Sequence, residues 1–246
     1  MDNKYKIFEQ YMLNFMQDSA HDREHIYRVV NLCFEIAKYE TNVDYDVLIC
    51  SAFLHDIGRK FQFENPKICH AEVGSKLAYQ FLIENSYSID FAEKVKHCIL
   101  AHRFRNENPP KSIEAKILFD ADKIDVTGLV GIARTLMYKG KVNEPLYVRN
   151  IDNKISCGDL DGEVSFFQEY KKKLENIYDK FYTKRGFGIA KNRQKSSILF
   201  YEKLLEEVSE FSWKSFLFFL LHLDYIIKSP RKYFLGLNFC NLTKVC

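Results

Sequence analysis

The residues best suited to chemistry fall in three separate stretches of the 246-residue chain. His25 sits in HDREHIYRVV, four and five residues before Val29 and Val30, and so shares a side with an apolar helical stripe. His55 and Asp56 close an apolar run, SAFLHDIGR. Much later, FDADKID packs three aspartates into six residues beside Ile117, Leu118, Phe119 and Ala121. A lone histidine on an apolar face is usually a core residue with a local hydrogen bond. An imidazole and a carboxylate together at the end of an apolar helix need stronger satisfaction. Adjacent helical side chains diverge by about 100°, so His55 and Asp56 do not form a surface pair of the i, i+4 kind. They can instead converge on one ion from a helix edge. Two imidazoles and two carboxylates make a mixed nitrogen and oxygen donor set. It suits Mn²⁺, Fe²⁺, Co²⁺, Ni²⁺ or Zn²⁺, whereas Mg²⁺ takes more oxygens. Such a site keeps positions open for water and a substrate oxygen, lowers the pKa of that water and polarises a phosphorus–oxygen bond.

The elements that must hold these residues are all helical. A first helix is expected from Tyr5 to about Met16. Ser19 and Asp22 can form a capping box for the next, where Ile26, Val29, Val30, Cys33, Ile36 and Ala37 recur at helical spacing. Residues 44 to 57 read as a third helix, with Gly58 as its stop. Further helices start near His70, cover 90 to 102, and follow a Ser112 cap after Pro109-Pro110. Another is expected in TGLVGIARTLMY, and two more at about 163 to 182 and 188 to 209. Residues 140 to 162 are polar and rich in turn formers, which suits a lid or a boundary. No strand series or internal repeat interrupts this pattern.

Composition narrows the partners. The chain is 47% hydrophobic and 28% charged, enough for one sizeable core. A net charge of +3 does not argue for nucleic acid or an anionic membrane. The seven cysteines contain no CxxC pair, and free thiols point to a reducing, intracellular, cytoplasmic setting. The N-terminus does not read as a secretory signal. The apolar cluster Phe216 to Leu221 is cut by His222 and Asp224, too short for a membrane span, and reads as a buried C-terminal helix. Oligomeric state is not legible.

The ordered set His25, His55-Asp56 and Asp122 resembles the HD superfamily of metal-dependent phosphohydrolases. HDREHIYRVV, LHDIGRK, CHAEVGSKLA, AHRF, DADKIDVTGLVGIART and FYTKRGFGIAKNRQKSSILFYEKLLEEV extend the likeness over roughly residues 5 to 210. They resemble a subgroup of small HD proteins, some of which hydrolyse nucleoside triphosphates to monophosphate and pyrophosphate. The resemblance implies an all-α bundle around a buried divalent ion, with residues 1–210 as the HD-type domain and 211–246 as a divergent hydrophobic extension. It implies His25, His55, Asp56 and Asp122 as metal ligands, with Mn²⁺ favoured and room for a second ion. His70 and His102 match histidines that hold that second ion or face substrate phosphates. Arg28, Lys123 and Arg134 are the preferred phosphate contacts, with Arg59, Lys60 and Arg103 as further candidates. His21 and Asp22 precede the first ligand in the manner of the subgroup. Asp56 serves catalysis through the ion, and Asp125 or Glu72 is expected to take the proton from the attacking water. The expected substrate is a small phosphorylated nucleotide, cut between phosphates. A 5′-nucleotidase, a phosphodiesterase and a catalytically silent metal- or nucleotide-binding module are the alternatives.

Overall fold

A computed structural model describes residues 3–16, 23–103, 108–159 and 162–210. The expected cap at Ser19 and Asp22, His21, His222 and the extension 211–246 lie outside the described residues. The described part is helical, and its only β feature is an isolated antiparallel bridge between Arg149 and Ile155. The all-α expectation holds. None of its helices is long and apolar enough to cross a membrane.

Helix α1 is Lys6–Leu13, α2 is Arg23–Ala37 and α3 is Tyr45–Leu54. Every α3 residue from Val47 to Leu54 is buried, so this helix is the axis of the core. Its start is fixed by Asp44, whose carboxylate accepts from the amides of Asp46 and Val47. Glu114 in turn accepts from the Asp44 amide at 2.8 Å. α2, α6 (Ile89–Ala101) and α7 (Ile113–Ile124) pack around α3. The short α4 (Arg59–Glu64) and α5 (His70–Glu84) complete this half. α7 begins as expected at Ser112, whose hydroxyl accepts from the Ala115 amide.

Gly58 does not end α3 in the left-handed conformation expected of a helix stop. Its φ is −81°, and it stands at the N-terminus of α4. Its need is for space: a Cβ there would meet the His70 carbonyl oxygen at 2.1 Å and the Gly74 amide at 2.7 Å. Gly58 and Gly74 therefore let the His55-Asp56 turn touch the first turn of α5. Gly128 does take positive φ, +61°. That permits α8 (Gly128–Lys141) to start only four residues after α7 ends.

The stretch expected as a helix over 163–182 breaks into α9 (Phe166–Glu169), a π turn over Tyr170–Leu174 and a 3₁₀ turn over Ile177–Asp179. Phe166, Phe167, Tyr170 and Leu174 form a small second core with Ile132 and Tyr201. α10 (Lys184–Glu210) then runs unbroken for 27 residues. Its entry is tied to α7, because Asp120 accepts from the Tyr182 and Thr183 amides and the Thr183 hydroxyl. Arg193 of α10 donates to the Ile124 carbonyl at 3.0 Å. The end of α7 that carries Asp122 and Asp125 is thus clamped from outside.

Candidate metal centre

His25 comes from the first turn of α2, His55 and Asp56 from the turn after α3, His70 from the start of α5, His102 from the end of α6, and Asp122 from the last turn of α7. All six come together in two groups: His25, His55 and Asp122, and Asp56, His70 and His102. The four imidazoles and Asp56 are buried, and the Asp122 side chain is 24% exposed.

All four imidazoles carry the same tautomer by construction of their surroundings. His25 gives its Nδ1–H to Asp125 at 2.8 Å and His55 to the Ala52 carbonyl at 2.8 Å. His70 gives its Nδ1–H to Gln62 Oε1 and His102 to the Ile99 carbonyl, each at 2.5 Å. In the neutral rings that leaves each Nε2 as a lone pair. These lone pairs converge: His25 and His55 Nε2 are 3.3 Å apart, and His70 and His102 Nε2 are 3.1 Å apart. Asp122 Oδ1 stands 3.4 Å from His25 and 3.8 Å from His55. Asp56 divides its oxygens, with Oδ1 3.4 Å from His70 and 3.7 Å from His102, and Oδ2 3.6 Å from His25. Buried lone pairs aimed at each other repel unless a cation lies among them. Separations of this size also match ligand edges around an ion bound at about 2.0–2.2 Å. The donor set therefore fits a divalent transition metal in the first group, and the second group repeats the arrangement.

The electrostatics agree. Burial pushes His55 down to about 4 and pushes His70 down as well, favouring the neutral, ligating form. Burial opposes charge on Asp56, but the Arg59 guanidinium and the surrounding imidazoles outweigh it and hold the carboxyl well below the usual range. Arg59 meets Asp56 Oδ1 at 3.0 Å. Burial likewise opposes charge on Asp125, yet His25 and Arg28 bring it to about 2.

Asp125 and Glu72, the expected proton acceptors, sit in different surroundings. Asp125 accepts from His25, from Arg28 Nε at 2.7 Å and from Arg134 at 2.9 Å. These three partners engage both of its carboxylate oxygens. From behind His25 it fixes the orientation of that imidazole. Glu72 is exposed on α5 and belongs to neither group. Arg28 and Arg134 do flank the centre, through Asp125. Lys123 lies next to Asp122, over the Phe119 ring at 4.2 Å, and burial lowers it to about 8. Gln62 was not singled out from sequence: RKFQFE has no motif, and its amide matters only because α4 folds against His70.

A cleft of about 520 Å³ adjoins the centre. Arg59, Gln62 and Arg134 line it, and each hydrogen-bonds a residue of the centre or Asp125. Phe63, Pro66, Tyr138, Val142, Lys139, Glu169 and Lys173 line the rest of it.

Residues 23–127 match the family model of the HD domain. That span holds all six residues of the two groups and Asp125. Bacillus subtilis YpgQ is 28% identical over 196 residues, which is 78% of this chain and 86% of that protein. The crystal structure of YpgQ in complex with ADP superposes with a TM-score of 0.63 at 24% identity, over 83% of this chain and 97% of that one. A Lactobacillus plantarum structure gives 0.67 at 22% identity, over 86% and 99%. A predicted HD superfamily hydrolase from an uncultured Thermotogales bacterium gives 0.55 at 26% identity, over 84% and 92%.

Proposed function

We propose that this chain, whose residues 23–127 match the HD domain, is a metal-dependent phosphohydrolase that cuts a phosphoanhydride bond in a small nucleotide, releasing pyrophosphate from a nucleoside 5′-triphosphate. The observation that carries the reading is the pair of buried histidine–aspartate groups joined through Asp56 beside a cation-lined cleft. The ADP of the YpgQ complex supports a small nucleotide as the ligand. His25, His55, Asp122 and Asp56 Oδ2 would hold the first ion, and His70, His102 and Asp56 Oδ1 the second, with Mn²⁺ as our first choice. Divalent ions held there polarise phosphate oxygens and make a neighbouring water acidic enough to attack.

The chain's own residues supply the rest. The four Nδ1 hydrogen bonds fix ring orientation before any ligand arrives, so no reorganisation is needed at the moment of reaction. Arg28 and Arg134 share one carboxylate, which leaves net positive charge at a fixed place beside the centre. Arg59 adds a guanidinium at the cleft wall. These cations meet the charge on the transferring group, the main source of catalysis in phosphoryl transfer.

A panel of nucleotides against divalent ions, with products identified by phosphorus NMR, tests this. Pyrophosphate from a deoxynucleoside triphosphate, absent with His55→Ala, is the expected result. Orthophosphate from monophosphates alone would replace it with a 5′-nucleotidase. Metal-dependent binding without turnover of any phosphate compound would leave a binding module.

A further inference from the structure

The cleft does not stop at the cations beside the centre. On α8, Arg134 and Tyr138 follow each other at four-residue spacing, so Tyr138 stands about 6 Å farther along the axis. That step is of the size of a sugar between phosphate and base. Two large aromatic side chains stand open in this outer half: Phe63 of α4, 56% exposed, and Tyr138 of α8, 40% exposed. Lys141 lies over the Phe63 ring at 4.3 Å. Open aromatic rings in a cleft are stacking surfaces for a base.

Lys139, Glu169 and Lys173 line the same cleft, and Glu144 accepts from Lys139 Nζ at 2.5 Å. Lys139 is buried, and its Nζ is 3.7 Å from one oxygen of Glu169. Lys173 Nζ is 3.0 Å from the other. The carboxylate therefore sits between two ammonium groups, an acceptor flanked by donors. Burial opposes charge on Glu169, but Lys173 and Lys139 outweigh it and keep the carboxylate ionised.

We propose that the outer cleft is a nucleobase subsite favouring guanine, uracil and thymine over adenine and cytosine, with Glu169 as the specificity-determining residue. This rests on the nucleotide reading of the adjoining centre. The favoured bases carry a ring N–H beside a carbonyl on their pairing edge. Glu169 accepts from the N–H, and a lysine donates to the carbonyl oxygen. In adenine and cytosine the same ring position is a bare lone pair, which would face the carboxylate. A charge-assisted contact of this kind discriminates by about tenfold or more.

The test compares kcat/KM for GTP, UTP, ATP and CTP, with inorganic triphosphate as a substrate lacking a base. GTP and UTP should exceed ATP and CTP by about tenfold. Glu169→Gln, whose amide both donates and accepts, should shrink the bias to within about threefold. Calorimetric binding of guanosine and adenosine 5′-monophosphates should show the same order without turnover. Four equal rates in the wild type, or an undiminished bias in the variant, would overturn the subsite while hydrolysis of inorganic triphosphate kept the phosphohydrolase reading intact. Base-selective binding with no turnover would overturn the phosphohydrolase reading and keep the subsite. The wild-type ratios decide the matter alone if the variant does not fold.

Discussion

Behind His25 stands a carboxylate, Asp125, which is itself gripped by Arg28 and Arg134; behind His70 stands only the amide of Gln62. His55 and His102, the other imidazole of each group, are backed alike by the carbonyl three residues earlier. So the two groups match at their inner edge and differ in what lies behind. A charged acceptor makes an imidazole a stronger donor to a metal than a neutral one does. Their pKa values also shift in opposite directions: His25 is raised, with Asp125 and Asp56 overcoming its burial, while His70 is lowered by burial. The helices differ too. The first group rests on α2, α3 and α7, with α7 clamped by α10; the second rests on helix ends and the six-residue α4. The first group should hold its ion tightly, and the second should bind more weakly and fill with substrate present.

Asp56 is the one residue both groups share, and Asp56→Ala should do the most damage. It should abolish metal-dependent turnover by at least about 10³-fold and strip both ions, while circular dichroism stays helical. Retained metal in that variant would separate the groups. His70→Ala touches only the weaker group. It should leave one ion bound and lower kcat/KM by about 10²-fold; a loss as deep as that of Asp56→Ala would erase the proposed inequality.

The residues behind the ligands sharpen the contrast further. Asp125→Asn should weaken the tighter ion by about 10–100-fold, and Gln62→Ala should weaken the looser ion by about tenfold, both read by competition with a chelating dye. Equal effects at both sites would deny the carboxylate its special part. The smallest effect is on acid stability of the metal-free protein. His55 and His70 are depressed when folded, so their contribution is present above about pH 6.5 and lost as pH falls toward 4. His25 is raised, so its contribution is complete below about pH 6.5 and lost as pH rises through its folded pKa, which partly offsets the loss. A net loss of stability, read as a lower Tm, is expected between pH 7.5 and 5. A Tm that rises over that range would contradict the neutral imidazoles.

Much of the first group was legible in the sequence, because His25, His55-Asp56 and Asp122 each stand beside apolar helical residues where an unpartnered polar group is costly. The helices were legible for the same reason: their stripes, and the Ser112 cap, are local signals. What was not legible depends on contacts between distant segments. Asp125 reads like a third acid of FDADKID until α2 brings His25 and Arg28 to it from about a hundred residues away. Gln62 is an ordinary polar residue until Gly58 and Gly74 allow α4 and α5 to touch. Gly58 looked like a helix stop because sequence gives the residue and not the neighbour that its missing Cβ admits. The broken 163–182 stretch kept helical spacing while its aromatic residues turned into a second core of their own.

Metal stoichiometry tests the two-group centre most directly. Titration of the chelated wild type and of His70→Ala with Mn²⁺, followed by calorimetry and checked by elemental analysis, counts the ions. Two ions of unequal affinity in the wild type, with the weaker one missing from His70→Ala, are the expected result. A single ion per wild-type chain at saturating metal, or an unchanged count in His70→Ala, would contradict it and leave His70 and His102 as phosphate contacts.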